Sequence, residues 1–256
     1  MLMFDLSLLD IAIALLGGII AGSMNALAGY GSIITLTILM DIMGLSPVIA
    51  NATNRIGVLA NGVSSTLGFY NNGRIKLDKG LLIIGATILG AILGIIVALY
   101  ISNEDFRIVF KYLIVVLFLT ILVKPKRWLR VESADQSLSP WLSIPIFFAI
   151  GFYGGFIQMG MGLIFLAAAV LVGKLNIIDA NGLKVVAVSL YTLIGLLVFW
   201  YNGMLVWVPG LMLAIGQAIG GYYTASIASR YENAHIWAYR ILVVIVLLII
   251  INTFFL

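Results

Sequence analysis

The chain has 256 residues, 63% of them hydrophobic and 9% charged, whereas a soluble domain is about half apolar and about a quarter charged, so water is excluded as the solvent for most of its surface. It has no cysteine and a single histidine, His235, which excludes disulfides, thiol nucleophiles and multi-histidine metal sites; no Ser/His/Asp arrangement can be assembled either. The formal charge of +4 is carried in short loops between apolar runs, where it orients a chain in a bilayer rather than binding nucleic acid. No enzyme, cofactor or metal site is expected.

The opening MLMFDLSLLD lacks a positive region ahead of its apolar stretch, so it reads as the start of the first helix and not as a cleaved signal peptide. Apolar runs separated by polar or Gly/Pro breaks predict membrane segments over 7–43, 48–70, 80–101, 106–123, 141–175, 181–201, 206–229 and 235–256. Several exceed the roughly 18 residues that span about 30 Å of hydrocarbon, which gives an all-α integral membrane protein. The blocks 7–43 and 141–175 are too long for one crossing, because at 1.5 Å per residue they reach about 50 Å. Gly29-Tyr30-Gly31-Ser32 interrupts the first and Gly160-Met161-Gly162 the second. Each block is therefore two arms meeting at a glycine-rich tip, as a pair of crossings or a re-entrant hairpin, for eight to ten membrane helices in all.

Arg74, Lys76 and Lys79, then Lys124, Lys126, Arg127 and Arg130, then Arg230, with Arg240 further on, mark cytoplasmic turns by the positive-inside tendency. Asp5, Asp10, Glu104 and Asp105 fall on the other side, which puts both termini outside and the 124–140 linker inside. The chain divides into a first transmembrane repeat over 1–123 and a second over 141–256. Features recur at an offset of 130 to 133: Gly18-xxx-Gly22 with Gly151-xxx-Gly155, Gly29/Gly31 with Gly160/Gly162, Asn51 with Asn181, Gly73 with Gly203, Gly85 with Gly216 and Arg107 with Arg240. Halves that start from opposite sides are inverted repeats, and their two tips meet near the midplane.

At a tip, the second arm begins with unpaired N–H groups and the positive end of a helix dipole. Backbone donors at Gly31, Ser32, Gly162 and Leu163, with the Ser32 hydroxyl, are placed to hold an oxyanion; the plainer reading is that these glycines serve only close packing or a kink. In the helix after the first tip, Asn51, Asn54, Arg55, Val58, Asn61 and Ser65 recur at helical spacing; Asn181, Lys184, Val188 and Tyr191 form the matching face of the second half. Polar groups are costly in lipid, so these faces point inward, and Arg55 and Lys184 supply one cation per half. Near helix ends they can equally snorkel. Asn25 and Gln158 lie close to the tips, where a carboxamide can satisfy freed backbone groups or touch a substrate. Gly90-xxx-Gly94 and Gly216-xxx-Gly220 are packing spacings, and Trp128, Trp141, Trp200 and Trp207 are interfacial anchors. Asp41 and Asp179 lie near segment ends, so no intramembrane carboxylate relay is indicated.

The stretches AGSMNALAGYGSIITLTIL and SPVIANATNRIGVLANGVSSTLGFYNNGRI, with GFYGGFIQMGMGLIFLAAAV and NIIDANGLKVVAVSLYTLIGLLVFWYNG as weaker counterparts, resemble the TauE/SafE (TSUP) family of sulfite and organosulfonate exporters over nearly the whole chain. Family members usually carry Gly-Gly-Gly at the tip and a proline further along the arm. Here Tyr30 and Met161 stand inside the tips and the proline is missing, so both side chains are expected to line the site. The resemblance implies transport of sulfite, sulfoacetate or related organic acids at the cell membrane. The expected substrate set is Asn25, Gly29, Tyr30, Gly31, Ser32, Asn51, Asn54, Arg55, Gln158, Gly160, Met161, Gly162, Leu163, Asn181 and Lys184. The expected partners are the lipid bilayer, a small anion, a coupling ion (H⁺ or Na⁺) left open, and a second copy of the chain. A passive channel and a non-transporting subunit of a larger assembly are the alternatives.

Overall fold

A computed structural model describes residues 7–27, 29–73, 75, 80–122, 140–228 and 247–250. Its helices are α1 (Leu8–Leu27), α2 (Gly31–Thr37, running on into a π-helical turn, Ile38–Ile42), α3 (Pro47–Tyr70), α4 (Leu81–Tyr100), α5 (Asn103–Leu122), α6 (Pro140–Phe156), α7 (Met161–Leu171), α8 (Ile177–Tyr201) and α9 (Trp207–Ala228). Residues 247–250 are helical too, within the expected last segment; the rest of that segment, Arg240 and the 124–139 part of the linker lie outside the described residues. No strand occurs among the described residues. Leu8–Leu27, Leu81–Tyr100 and Ile177–Tyr201 are by themselves long and apolar enough to cross a membrane.

The polarity of the fold is inverted relative to a soluble protein. Leu16, Leu89, Leu93, Val116, Leu119, Leu197 and Ile215 are exposed, while Arg55, Lys184, Asn51, Asn54, Gln158 and Gln217 are buried. Hydrocarbon is the solvent that makes such a surface stable. Trp141 is exposed at the start of α6, and Trp200 and Trp207 stack edge to face at the α8–α9 turn.

Two helices start earlier than their apolar runs. α5 begins at Asn103 rather than 106 because Ser102 Oγ accepts the Asp105 N–H at 3.0 Å and donates to the Asp105 carboxylate at 2.7 Å. α8 begins at Ile177 rather than 181 because Asn176 caps Asp179 in the same reciprocal way, at 2.9 and 2.8 Å. The polar residues that looked like loop are the caps that start the helices.

Both long blocks fold back on themselves. A Cβ at Gly31 would run into Ala21 O, and one at Gly17 into the Ile38 side chain, so α2 returns along α1. In the second block Gly154 lies against Met161, and Phe147 stacks on Phe165 with ring centres 5.3 Å apart. The returning arms have seven plus five residues and 11 residues; at about 18 and 16 Å they are half the hydrocarbon thickness.

The halves are interlocked. α1 packs on α9, and α6 packs on α4. Glycine removes the Cβ at each crossing: Gly216 meets Leu15 O and Ile19 N, and Gly220 meets Ile19 O and Ser23 N. Gly90 meets Phe148 O and Phe152 N, and Gly94 meets Phe152 O and Phe156 N, which is the same set displaced by the Gly18-to-Gly151 offset. Gly216 is therefore matched by Gly90. The expected match with Gly85 is corrected, since a Cβ at Gly85 meets nothing within 4 Å. Gly73 and Gly203, by contrast, end α3 and α8 identically, with φ of +67° and +68° and an N–H bonded three residues back.

These contacts predict opposite outcomes for two glycines on one helix. Gly94→Ala drives a Cβ into the α6 backbone and should cost about 1–3 kcal/mol, whereas Gly85→Ala should leave Tm unchanged or slightly raised. Thermal unfolding of both purified variants in one detergent is the check, and equal Tm values would contradict the packing.

Candidate functional site

The two tips touch. Gly29 (φ +77°) and Gly160 (φ +72°) make the equivalent left-handed turns, and a Cβ at Gly29 would occupy the space of Gly162 N and Cα. Only glycine meets both the dihedral and the clearance at Gly29. The backbone N–H groups of Gly31, Ser32 and Gly162 and the Ser32 hydroxyl have no acceptor among the described residues. The Leu163 N–H, in contrast, is bonded to Gly160 O at 3.2 Å, which removes it from the expected donors.

α1 and α6 stop inside the protein, and their last carbonyls need donors. Those of α6 receive Arg55 from α3: Nη1 donates to Gly154 O at 3.1 Å, and Nη2 to Gly155 O at 2.7 Å and Phe156 O at 3.4 Å. Asn51 Nδ2 adds a bond to Phe156 O at 2.9 Å. Those of α1 receive Lys184 from α8, with Nζ 3.1 Å from both Asn25 O and Ala26 O, while Asn181 Nδ2 reaches Leu27 O at 3.4 Å. The cation and the asparagine expected in each half thus close the broken helix of the other half. Neither cation snorkels: Arg55 is 0% and Lys184 2% exposed. No carboxylate pairs with either among the described residues.

Between the tips lies a cavity of about 20 Å³, the size of one water. Seven lining residues come from the expected set: Asn25, Gly29, Ser32, Gln158, Met161, Gly162 and Lys184. Val58, Asn61, Val188 and Tyr191 complete the lining, all from the two polar faces of α3 and α8. Gln158, itself at φ +64°, is held rigidly: its Oε1 accepts from Arg55 Nη1 at 2.9 Å, and its Nε2 donates to Tyr191 at 3.2 Å and Thr192 at 3.0 Å.

Several expected residues do other work. Tyr30 is buried in the apolar cluster with Ile157, Met159 and Leu117 and is not part of the cavity lining, unlike Met161. Gly31 packs on α1, and Gly160 is the N-cap of α7 against Leu117. Asn54 Oδ1 accepts the Thr35 hydroxyl at 2.6 Å and ties α3 to α2. Gln217 on α9 escaped notice inside a packing motif. Its Oε1 accepts from Asn25 at 3.3 Å and its carbonyl from Asn61 at 2.9 Å, so it positions two lining residues. A glutamine in an otherwise apolar membrane run was the available signal.

Arg55→Ala would leave the α6 carbonyls and Gln158 without their donor at a cost of about 3 kcal/mol or more, a fall in Tm of about 10 °C. Arg55→Lys should recover only part of this, because one ammonium cannot reproduce the guanidinium fork. Full recovery by lysine would contradict a capping role.

The sequence profile of the sulfite exporter TauE/SafE family matches residues 14–253. The probable membrane transporter protein YfcA of Escherichia coli is 26% identical over 222 residues, which cover 85% of this chain and 80% of that protein. A probable membrane transporter protein of Haemophilus influenzae is 28% identical over 218 residues (83% and 84%), and the Sinorhizobium ORF9 protein of the same description is 26% identical over 236 residues (91% and 87%). No solved structure matches the chain. With this match across most of its length, the chain belongs to the TauE/SafE family of membrane transporters.

Proposed function

We propose that the protein is a secondary transporter that carries a small oxyanion, such as sulfite, a sulfonate or a related organic acid, across the cell membrane by alternating access between the two glycine tips. One observation carries this reading: Arg55 and Lys184 are fully buried without a carboxylate partner among the described residues. A helix C-terminus offsets roughly half a charge, so each cation retains an excess. To this the starts of α2 and α7 add their own positive ends at Gly31 and Gly162. A site of net positive charge inside a bilayer is stable only with an anion present. Lys184 has two of its three donors on α1 carbonyls and also lines the cavity, which leaves one N–H for the cargo beside Ser32 and Gly162.

The matched contacts of α1 on α9 and α6 on α4 support two inverted repeats. The charge pattern favours termini outside and the central linker inside. Gly29 lies directly against Gly162, so the carrier reading has the two tips part to admit cargo, whereas a pore open to both sides needs a continuous gap there.

In proteoliposomes, labelled sulfite or sulfonate uptake should saturate and show counterflow; linear flux without counterflow would support the channel instead. Ser32→Ala, which deletes a lining hydroxyl that holds nothing else, should raise the KM for the anion about tenfold, the size of a hydrogen bond to a charged group. Unchanged KM in that variant would place the cargo elsewhere.

A further inference from the structure

The end of α1 forms a cup of oxygens. Asn25 O and Ala26 O each lie 3.1 Å from Lys184 Nζ, and Leu27 O is beside them, bonded at 3.4 Å to Asn181 Nδ2. Asn181 Oδ1, on the same amide, is buried and has no hydrogen-bond donor. Freed carbonyls at the end of a broken helix are the ligand type with which secondary transporters hold Na⁺, a hard cation that prefers oxygen. In this chain the position is already taken by a cation that belongs to the protein.

We propose that the Lys184 ammonium replaces a coupling metal cation: it occupies an oxygen cup that would otherwise take Na⁺, so the wild-type protein works without sodium, and deletion of the ammonium opens a sodium site. The other broken end differs. At α6 the guanidinium of Arg55 spans three carbonyls and Gln158, and a planar fork of that size is no substitute for a small spherical ion. The α1 end, closed at two carbonyls by a compact ammonium, is the one whose cap is itself a small monovalent cation. The ammonium also lies at the cavity, which Lys184 lines, so an anion there meets a cation supplied by the protein itself.

The consequence for transport rests on the anion-carrier reading, but the cation site is testable without it. Wild type and Lys184→Ala are unfolded thermally in NaCl and in choline chloride at equal concentration. Wild type should show the same Tm in both salts. Lys184→Ala should be less stable in choline and regain at least half of the lost Tm as NaCl rises, along a saturating curve. A saturable sodium effect on wild type, or none on Lys184→Ala, overturns the proposal. Should Lys184→Ala fold in neither salt, Lys184→Ser is taken through the same two series, with the same supporting and overturning outcomes. In proteoliposomes, wild-type anion uptake should be equal in sodium and potassium media. Absence of any uptake would count against the carrier reading alone, because the two Tm series stand apart from it.

Discussion

A helix that stops inside a bilayer leaves its last carbonyls where neither water nor lipid can satisfy them, and the interior of this protein is organised around closing two such ends. Each unmet group costs on the order of 1–3 kcal/mol, and the price is higher in hydrocarbon than in water. The solution is reciprocal. Arg55 and Asn51 of the first half close α6 of the second; Lys184 and Asn181 of the second half close α1 of the first. Neither half can be completed alone, and the α1–α9 and α4–α6 crossings lock the same exchange in place through backbone contacts that only glycine allows.

Closing carbonyls with full charges creates a second constraint. A helix end offsets only part of a cation, so the capped breaks remain positive, and the starts of α2 and α7 point the same sign toward the space between the tips. The capped breaks thus sit beside the place where Gly29 and Gly162 bring the two backbones into contact. The donors that satisfy the backbone also lie around the cavity: Lys184 lines it, and Arg55 holds the lining residue Gln158.

The two halves follow this plan unequally. Gln158 is gripped from three sides, by Arg55, Tyr191 and Thr192, whereas its counterpart Asn25 is held by Gln217 through one longer bond. The first tip offers a free serine hydroxyl at Ser32; the second has Leu163, its N–H already bonded to Gly160 O. One wall of the cavity is therefore braced by a fixed guanidinium, and the other carries the compact ammonium, the hydroxyl and the more loosely held amide.

Much of this was legible in the order of residue types. Long apolar runs dictated membrane helices because hydrocarbon tolerates nothing else at that length; Gly29 and Gly160 marked the breaks because left-handed backbone selects glycine; and the polar faces of α3 and α8 announced an interior site because lipid rejects them. The first turns of α5 and α8, residues 103–105 and 177–180, fall outside the expected segments as polar breaks, since a cap and a turn use the same residues and differ only in the bonds they form. What the residues could not disclose was partnership. Arg55 and Lys184 read equally as cargo ligands or as snorkelling cations, Tyr30 read as a lining residue, and Gly85 as the match of Gly216. Only the tertiary structure decided that the cations bond carbonyls about a hundred and more residues away, that Tyr30 turns into an apolar cluster, and that Gly90 is the packing equivalent. Residue type and spacing determine where a helix must form, break or face inward; which donor meets which acceptor is settled by contacts between distant segments, and local sequence does not encode that choice.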